Sequence, residues 1–391
     1  MTEPEIVRKS ELREKREVRI PVPTYEGDFV LEEHLLLECG RTLVNPTLHY
    51  AVYGRLNTAS GGSSESNAVL VCHALSGSAL VGGWWPELFA DGGIVDLAED
   101  CVICVNIFGS CYGSTGPGSV DPETGQVYGP HFPLVSIRDN VRAQARLLDS
   151  LGIAQLKLAI GGSIGGMQAL EWSILYPQRV RRAVVIGVAP LNAMGLALNH
   201  LQRQAIQNDP DWQGGNYLPR KQPLKGLAQA REIATLSYKS SELFTERFGR
   251  NPNRNGEDPW ALDDNGGGLG NLHGGRFDVA GYLDHQGKIF LSRFDANAYL
   301  AILRTMDIWD PVNSSHGHRD PLDIYGRITA HLTFVGISSD WLFPSREVRE
   351  LALAVQACGV RAEYREMTTA HGHDAFLAEQ AELVRLLQWE E

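Results

Sequence analysis

No stretch of this 391-residue chain approaches the roughly 18 uninterrupted apolar residues that a membrane-spanning helix needs. Positive charge is also in deficit. With 35 Lys and Arg against 47 Asp and Glu, the formal net charge of -12 argues against a nucleic-acid partner and against docking on an anionic membrane. An anionic substrate must therefore meet local positive charge. From Met1 to Arg19 acids and bases alternate without the apolar core of a secretion signal, so the cytoplasm is the expected compartment. The histidines include no H-E-x-x-H, and His316 and His318 lie in a polar stretch beside Asn313, Ser314 and Ser315; no metal is expected. Cysteines are few, and Cys39, Cys72, Cys101, Cys104, Cys111 and Cys358 read as reduced, structural thiols. Cys101 and Cys104 have C-x-x-C spacing, but they share a strand-like run over 101–107, where residues three apart point to opposite faces.

What is present is a chain long enough for one large core with an insertion. Residues 1–30 read as a charged N-terminal arm with Pro21 and Pro23, packed loosely or used at an interface. Over 31–188 strand-like runs (68–72, 101–107, 157–160, 183–188) alternate with helical ones (137–151 and the stretch after Ser163), the signature of a mostly parallel sheet with helices on both faces. The alternation stops over 189–327. Helical stretches at 227–248 and 296–309 there flank a Gly/Asn/Asp-rich segment at 251–275, which predicts an inserted helical lid with a surface loop. It resumes over 328–391 with a strand at 331–337, a helix at 345–358, a short strand at 362–366 and a terminal helix after His373.

The chemistry centres on Ser163. It follows the apolar run Leu158-Ala159-Ile160 and stands in Gly161-Gly162-Ser163-Ile164-Gly165, ahead of a helix-forming stretch that stops at Pro177. A strand, a G-x-S-x-G turn and a helix make a nucleophile elbow. The serine is held in a strained turn, and the positions two residues to either side must lack side chains. A serine hydroxyl is a weak nucleophile, so it needs a base within hydrogen-bond reach and a third group to fix the tautomer of that base. In the α/β-hydrolase fold these follow the serine in the order acid, then His. Asp340 directly follows the strand at 331–337, where such acids stand; capping the helix ahead of Pro344 would explain it equally. His371 and His373 share the loop after the last short strand, and spacing does not choose between them. His73 precedes the serine and suits a structural or oxyanion-loop role. The oxyanion itself needs two N–H donors, expected from Ile164 and from the turn at 73–77, with Leu75 the favoured residue.

From about Leu31 onward the sequence resembles the homoserine O-acyltransferases of the α/β-hydrolase fold, and within them the homoserine O-acetyltransferase family. The resemblance rests on His73-Ala74-Leu75-Ser76-Gly77, Gly82-Gly83-Trp84-Trp85, Cys111-Tyr112-Gly113-Ser114-Thr115-Gly116-Pro117 and Tyr128-Gly129-Pro130. It continues through Gly161 to Trp172, Arg293-Phe294-Asp295-Ala296-Asn297, Ser339-Asp340-Trp341-Leu342-Phe343-Pro344 and Gly372-His373-Asp374-Ala375-Phe376-Leu377. The resemblance implies Ser163 as nucleophile, Asp340 as acid and His373 rather than His371 as base. It also implies Arg231 as a clamp on a substrate carboxylate and Asp374 as partner of a substrate ammonium. On sequence alone a surface ion pair on a lid helix would be the favoured reading of Arg231.

The implied reaction moves the acetyl group of acetyl-CoA, a co-substrate with no resident cofactor beside it, to L-homoserine through an acyl-serine, on the way to methionine. The implied assembly is a homodimer built on the lid helices. One departure bears on the donor: residues 86–94 read Pro-Glu-Leu-Phe-Ala-Asp-Gly-Gly-Ile where the family usually carries a Gly-Pro-Gly-Lys-like turn. A succinyl donor, a serine acceptor, or a plain esterase of the same fold would leave the triad unchanged.

Overall fold

The computed structural model describes residues 20–57, 66–90, 92–217, 221–261, 269, 274–314 and 317–388. Its frame is an eight-stranded sheet of β1 (Tyr25–Val30), β2 (Thr47–Tyr53), β3 (Ala68–Cys72), β4 (Cys101–Val105), β5 (Leu156–Gly162), β6 (Val180–Ile186), β7 (His331–Ile337) and β8 (Ala362–Met367). Their spatial order is β1-β2-β4-β3-β5-β6-β7-β8. The pairs from β4 to β8 run parallel, and β1 and β2 close one edge antiparallel.

Parallel strands covered on both faces read as continuous apolar runs, and Ala-Val-Leu-Val-Cys in β3 is buried at every position. Its side chains divide between two cores: Leu70 and Cys72 face one, Val69 and Val71 the other. Cys101 and Cys104 divide the same way, so their C-x-x-C spacing brings no thiol pair together.

Helices α1 (Ile137–Ser150), α2 (Ile164–Leu175) and α8 (Ser345–Ala357) contribute to the first core, and α9 (Gln380–Leu387) with Trp85 and Leu88 to the second. α1 starts at a capping box: the Ser136 hydroxyl accepts from the Asp139 N–H at 3.0 Å, and the Asp139 carboxylate accepts from the Ser136 N–H at 3.0 Å. From β3 the chain moves to one side, to β4, and returns on the other side as β5. Ligands of parallel sheets bind outside the carboxyl ends of the strands at such a reversal. The turn after β3 and Ser163 after β5 flank it.

Between β6 and β7 lie α3 (Ala193–Gln207), α4 (Leu224–Ser237), α5 (Ser241–Phe248), α6 (Asp278–Leu291) and α7 (Ala296–Asp307), a helical insertion over the strand ends. The helix expected at 227–248 is broken. α4 ends at Ser237 with Tyr238 as its C-cap, and Ser240 starts α5 by accepting from the Leu243 N–H at 3.1 Å, because a serine side chain competes for a helical N–H better as a cap than inside a helix. The arm also differs from expectation. Residues 25–30 form β1, in which exposed and half-buried side chains alternate along an antiparallel edge. Residues 1–19, His316, and 262–268 and 270–273 of the Gly-rich segment lie outside the described residues.

Candidate active site

Ser163 has φ 56° and ψ -133°, a conformation that costs a residue with a side chain about 1–3 kcal/mol. Its surroundings impose it. The Ser163 N–H donates to the Ile186 carbonyl at 2.9 Å, tying the turn to β6, while α2 begins at the next residue. A Cβ at Gly165 would collide with the Cys72 carbonyl oxygen, and one at Gly161 with the Gly165 backbone. Both glycines are thus required by close approach, as the elbow pattern predicts.

Asp340 is buried in the turn after β7. Its Oδ1 accepts the N–H groups of Leu342 and Phe343, each at 2.9 Å, which closes the turn ahead of Pro344; the helix that follows has no side-chain cap, so Asp340 does not cap it. Its Oδ2 lies 2.6 Å from Nδ1 of His373. His371 is elsewhere, with Nδ1 2.7 Å from Glu379, so the structure brings His373 and not His371 to the acid. The His373 ring packs between Phe343 at 5.2 Å, Tyr238 at 5.8 Å and Phe376 at 5.8 Å. Burial in that aromatic box works to lower the imidazole pKa, but the charge and hydrogen bond of Asp340, with help from Asp374, carry it above its ordinary value. Nε2 of His373 is buried and makes no hydrogen bond. The bond to the Ser163 hydroxyl is therefore not formed in this structure, although both residues line one cavity. Such bonds are often long or unmade until substrate binds.

That cavity, of about 410 Å³, is also lined by Leu75, Arg231, Arg293 and Asp374. Among the described residues, the N–H groups of Leu75 and Ile164 have no protein acceptor, as an oxyanion site requires. His73 is fully buried and bridges loops: Nδ1–H donates to the Ala74 carbonyl at 2.8 Å and Nε2 accepts from the Ile107 N–H at 3.2 Å. Burial pushes its pKa down to about 4, so it stays neutral and fixes the turn that carries Leu75. The Arg231 guanidinium rests over the rings of Phe290 and Tyr238, at 5.0 and 5.6 Å, and no carboxylate among the described residues pairs with it. It is a cation facing a cavity rather than half of a surface ion pair.

Sequence reasoning missed two cationic neighbours. Arg293 donates to the Ser76 carbonyl at 3.2 Å and lines the cavity. Lys239, in the junction between α4 and α5, places Nζ 3.0 Å from Oδ2 of Asp374. The one available signal was the pair of serines after Lys239, which marks a helix start and hence a break that turns the lysine inward.

Comparison with known proteins agrees with this fold. The family model of the alpha/beta hydrolase fold matches residues 67–378. The chain is 44% identical to a homoserine O-acetyltransferase of Symbiobacterium thermophilum, over 94% of this chain and 92% of that protein. It is 41% identical to one of Geobacter sulfurreducens, over 90% and 93%. A crystal structure of homoserine O-acetyltransferase from Bacillus anthracis superposes with a TM-score of 0.80 at 24% identity, covering 94% of this chain and 98% of that one, and shows the same fold. An acetylester hydrolase from Corynebacterium glutamicum shares it too, with a TM-score of 0.73 at 22% identity over 92% and 94%.

Proposed function

From the premise that this chain belongs to the homoserine O-acetyltransferase family, on the α/β-hydrolase fold, we propose that it acetylates the hydroxyl of L-homoserine with acetyl-CoA through an acetyl-Ser163 intermediate, a step toward methionine. The observation that carries the mechanism is the 2.6 Å contact between Asp340 and His373, the latter lining a cavity with Ser163, Arg231 and Asp374.

In the first half-reaction His373 Nε2 takes the Ser163 proton as Oγ attacks the thioester carbonyl. The resulting oxyanion is held by the N–H groups of Leu75 and Ile164, and its collapse expels CoA, whose sulfur receives the proton. In the second, the homoserine carboxylate pairs with Arg231 and its ammonium with Asp374. His373 then deprotonates the side-chain hydroxyl, which attacks the acetyl-serine; O-acetylhomoserine leaves and Ser163 regains its proton. Asp340 holds Nδ1–H throughout, so that Nε2 remains the acceptor. The guanidinium groups of Arg231 and Arg293 provide the local positive charge that anionic substrates need on a chain of net charge -12.

Three further features belong to the same reading. Met194, Leu201, Leu236 and Ile289, apolar and exposed on the lid helices, support a homodimer built there. The six thiols are unpaired, which suits the cytoplasm, and no helix among the described residues is long and apolar enough to cross a membrane.

The test is to incubate the protein with acetyl-CoA or succinyl-CoA, without acceptor, and weigh it intact. An acetyl adduct that is absent in Ser163→Ala and is discharged by homoserine but not by serine or water is the expected result. A succinyl adduct would change the donor, rapid discharge by water would make the protein an esterase, and no adduct with either thioester would overturn the covalent route.

A further inference from the structure

The ion pair between Lys239 and Asp374 has no place in the reaction as described, and it occupies the carboxylate assigned to the substrate ammonium. The lysine side chain is 13% exposed and the aspartate 29%, so the pair is largely withdrawn from water. Its backbone is fixed on every side. The Asp374 N–H donates to the Tyr238 carbonyl at 3.2 Å, the Trp341 indole N–H donates to the Lys239 carbonyl at 3.0 Å, and the Ser240 hydroxyl donates to the Ala370 carbonyl. The lysine side chain is held by none of these three bonds, and a second cleft lies open to it. Asp374 lines the cavity of Ser163, whereas Lys239 lines a second, open cleft of about 1050 Å³ behind it, together with Glu242, Ser240, Thr245 and Trp341. A carboxylate and hydroxyls there offer new partners to a displaced ammonium.

We propose that Lys239 is a placeholder cation: it neutralises Asp374 beside His373 while the donor acylates Ser163, and it yields Asp374 to the ammonium of the amino-acid acceptor by swinging into the adjoining cleft. Lys239 is thereby a specificity-determining residue. Only an acceptor that brings its own cation replaces it, and the inference rests on the acceptor assignment made above. The exchange is of one ammonium for another on a single carboxylate, so Asp374 stays paired with a cation as the acceptor enters.

The experiment compares L-homoserine with 4-hydroxybutyrate, the same acceptor without its amine, in Lys239→Met, Lys239→Arg and the parent. All three are first checked by intact mass for acetyl-Ser163. Methionine keeps the length of the stem, and the bonds to Trp341 and Ala370 do not involve the lysine ammonium. Removing the competing cation should lower the homoserine KM about fivefold in Lys239→Met, the fold-change equivalent to about 1 kcal/mol of ion pair. Lys239→Arg should keep the parent KM, and kcat/KM for 4-hydroxybutyrate should be the same in all three. In an Asp374→Asn background the Lys239→Met effect on homoserine should vanish.

A raised homoserine KM in Lys239→Met would make the lysine a direct substrate ligand and overturn the proposal. Equal changes on both acceptors would overturn it as well, by showing a structural role. If parent acetyl-enzyme forms but homoserine does not discharge it, the acceptor assignment falls and the placeholder with it, a result separate from any behaviour of the lysine variants.

Discussion

Replacing Asp340 by asparagine tests the triad at the point where the structure is most explicit. Asparagine is the same size but can accept from one end only. Asp340 Oδ1 receives two N–H groups, from Leu342 and Phe343, and Oδ2 receives the His373 Nδ1 proton. The amide oxygen cannot serve both sides. If it faces His373, the amide NH₂ confronts two buried N–H donors, and each donor left without an acceptor costs about 1–3 kcal/mol. That is about 2–6 kcal/mol against the productive orientation, so fewer than about one molecule in thirty adopts it. In the preferred orientation the NH₂ donates to Nδ1, the imidazole proton moves to Nε2, and the base can no longer receive the Ser163 proton. The expected loss in kcat lies between about thirtyfold and the order of 10⁴ seen when such an acid is neutralised. Release of CoA thiol in the presence of homoserine measures it, and thermal melting checks the fold. A variant that is folded and keeps more than about a tenth of the parent kcat would refute the tautomer argument.

The acid limb of the acylation profile supplies a second test. Because the His373 pKa is raised, the free base forms only as pH rises through a value above the ordinary histidine figure of about 6.5, so the burst of CoA release should climb in that higher range and not below it. A limb at or below about 6.5 would contradict it. Ser163→Gly should abolish acetyl-enzyme formation yet melt at a higher temperature than Ser163→Ala, by about 1 kcal/mol, since glycine adopts φ 56° without strain but gives back part of the gain in chain entropy. Equal melting temperatures would mean that the elbow stores no strain.

Local chemistry made much of the site readable from sequence. The elbow is written in five consecutive residues, and Asp340 follows a strand that is itself an unbroken apolar run. What sequence left open was decided by packing between distant segments. His371 and His373 are equivalent on a line; they differ because the last strand and α9 turn one toward Glu379 and the other toward Asp340. The break between α4 and α5 was hidden because Leu227 to Phe248 has helical composition throughout, and only the cap at Ser240 interrupts it. Hence the inward lysine was hidden too. β1 escaped notice for a different reason: Tyr25–Val30 is an edge strand with no fully buried residue, so its pattern is nearly that of a surface arm.

The Cys72 carbonyl sits where Gly165 has no side chain, and three residues later the same backbone carries Leu75. The two amides proposed for the oxyanion, those of Leu75 and Ile164, therefore stand just beyond two strand ends that pack directly against one another. A side chain at Gly165 would force those two segments apart, whereas changes in the insertion overhead can reshape the acceptor pocket without touching that contact.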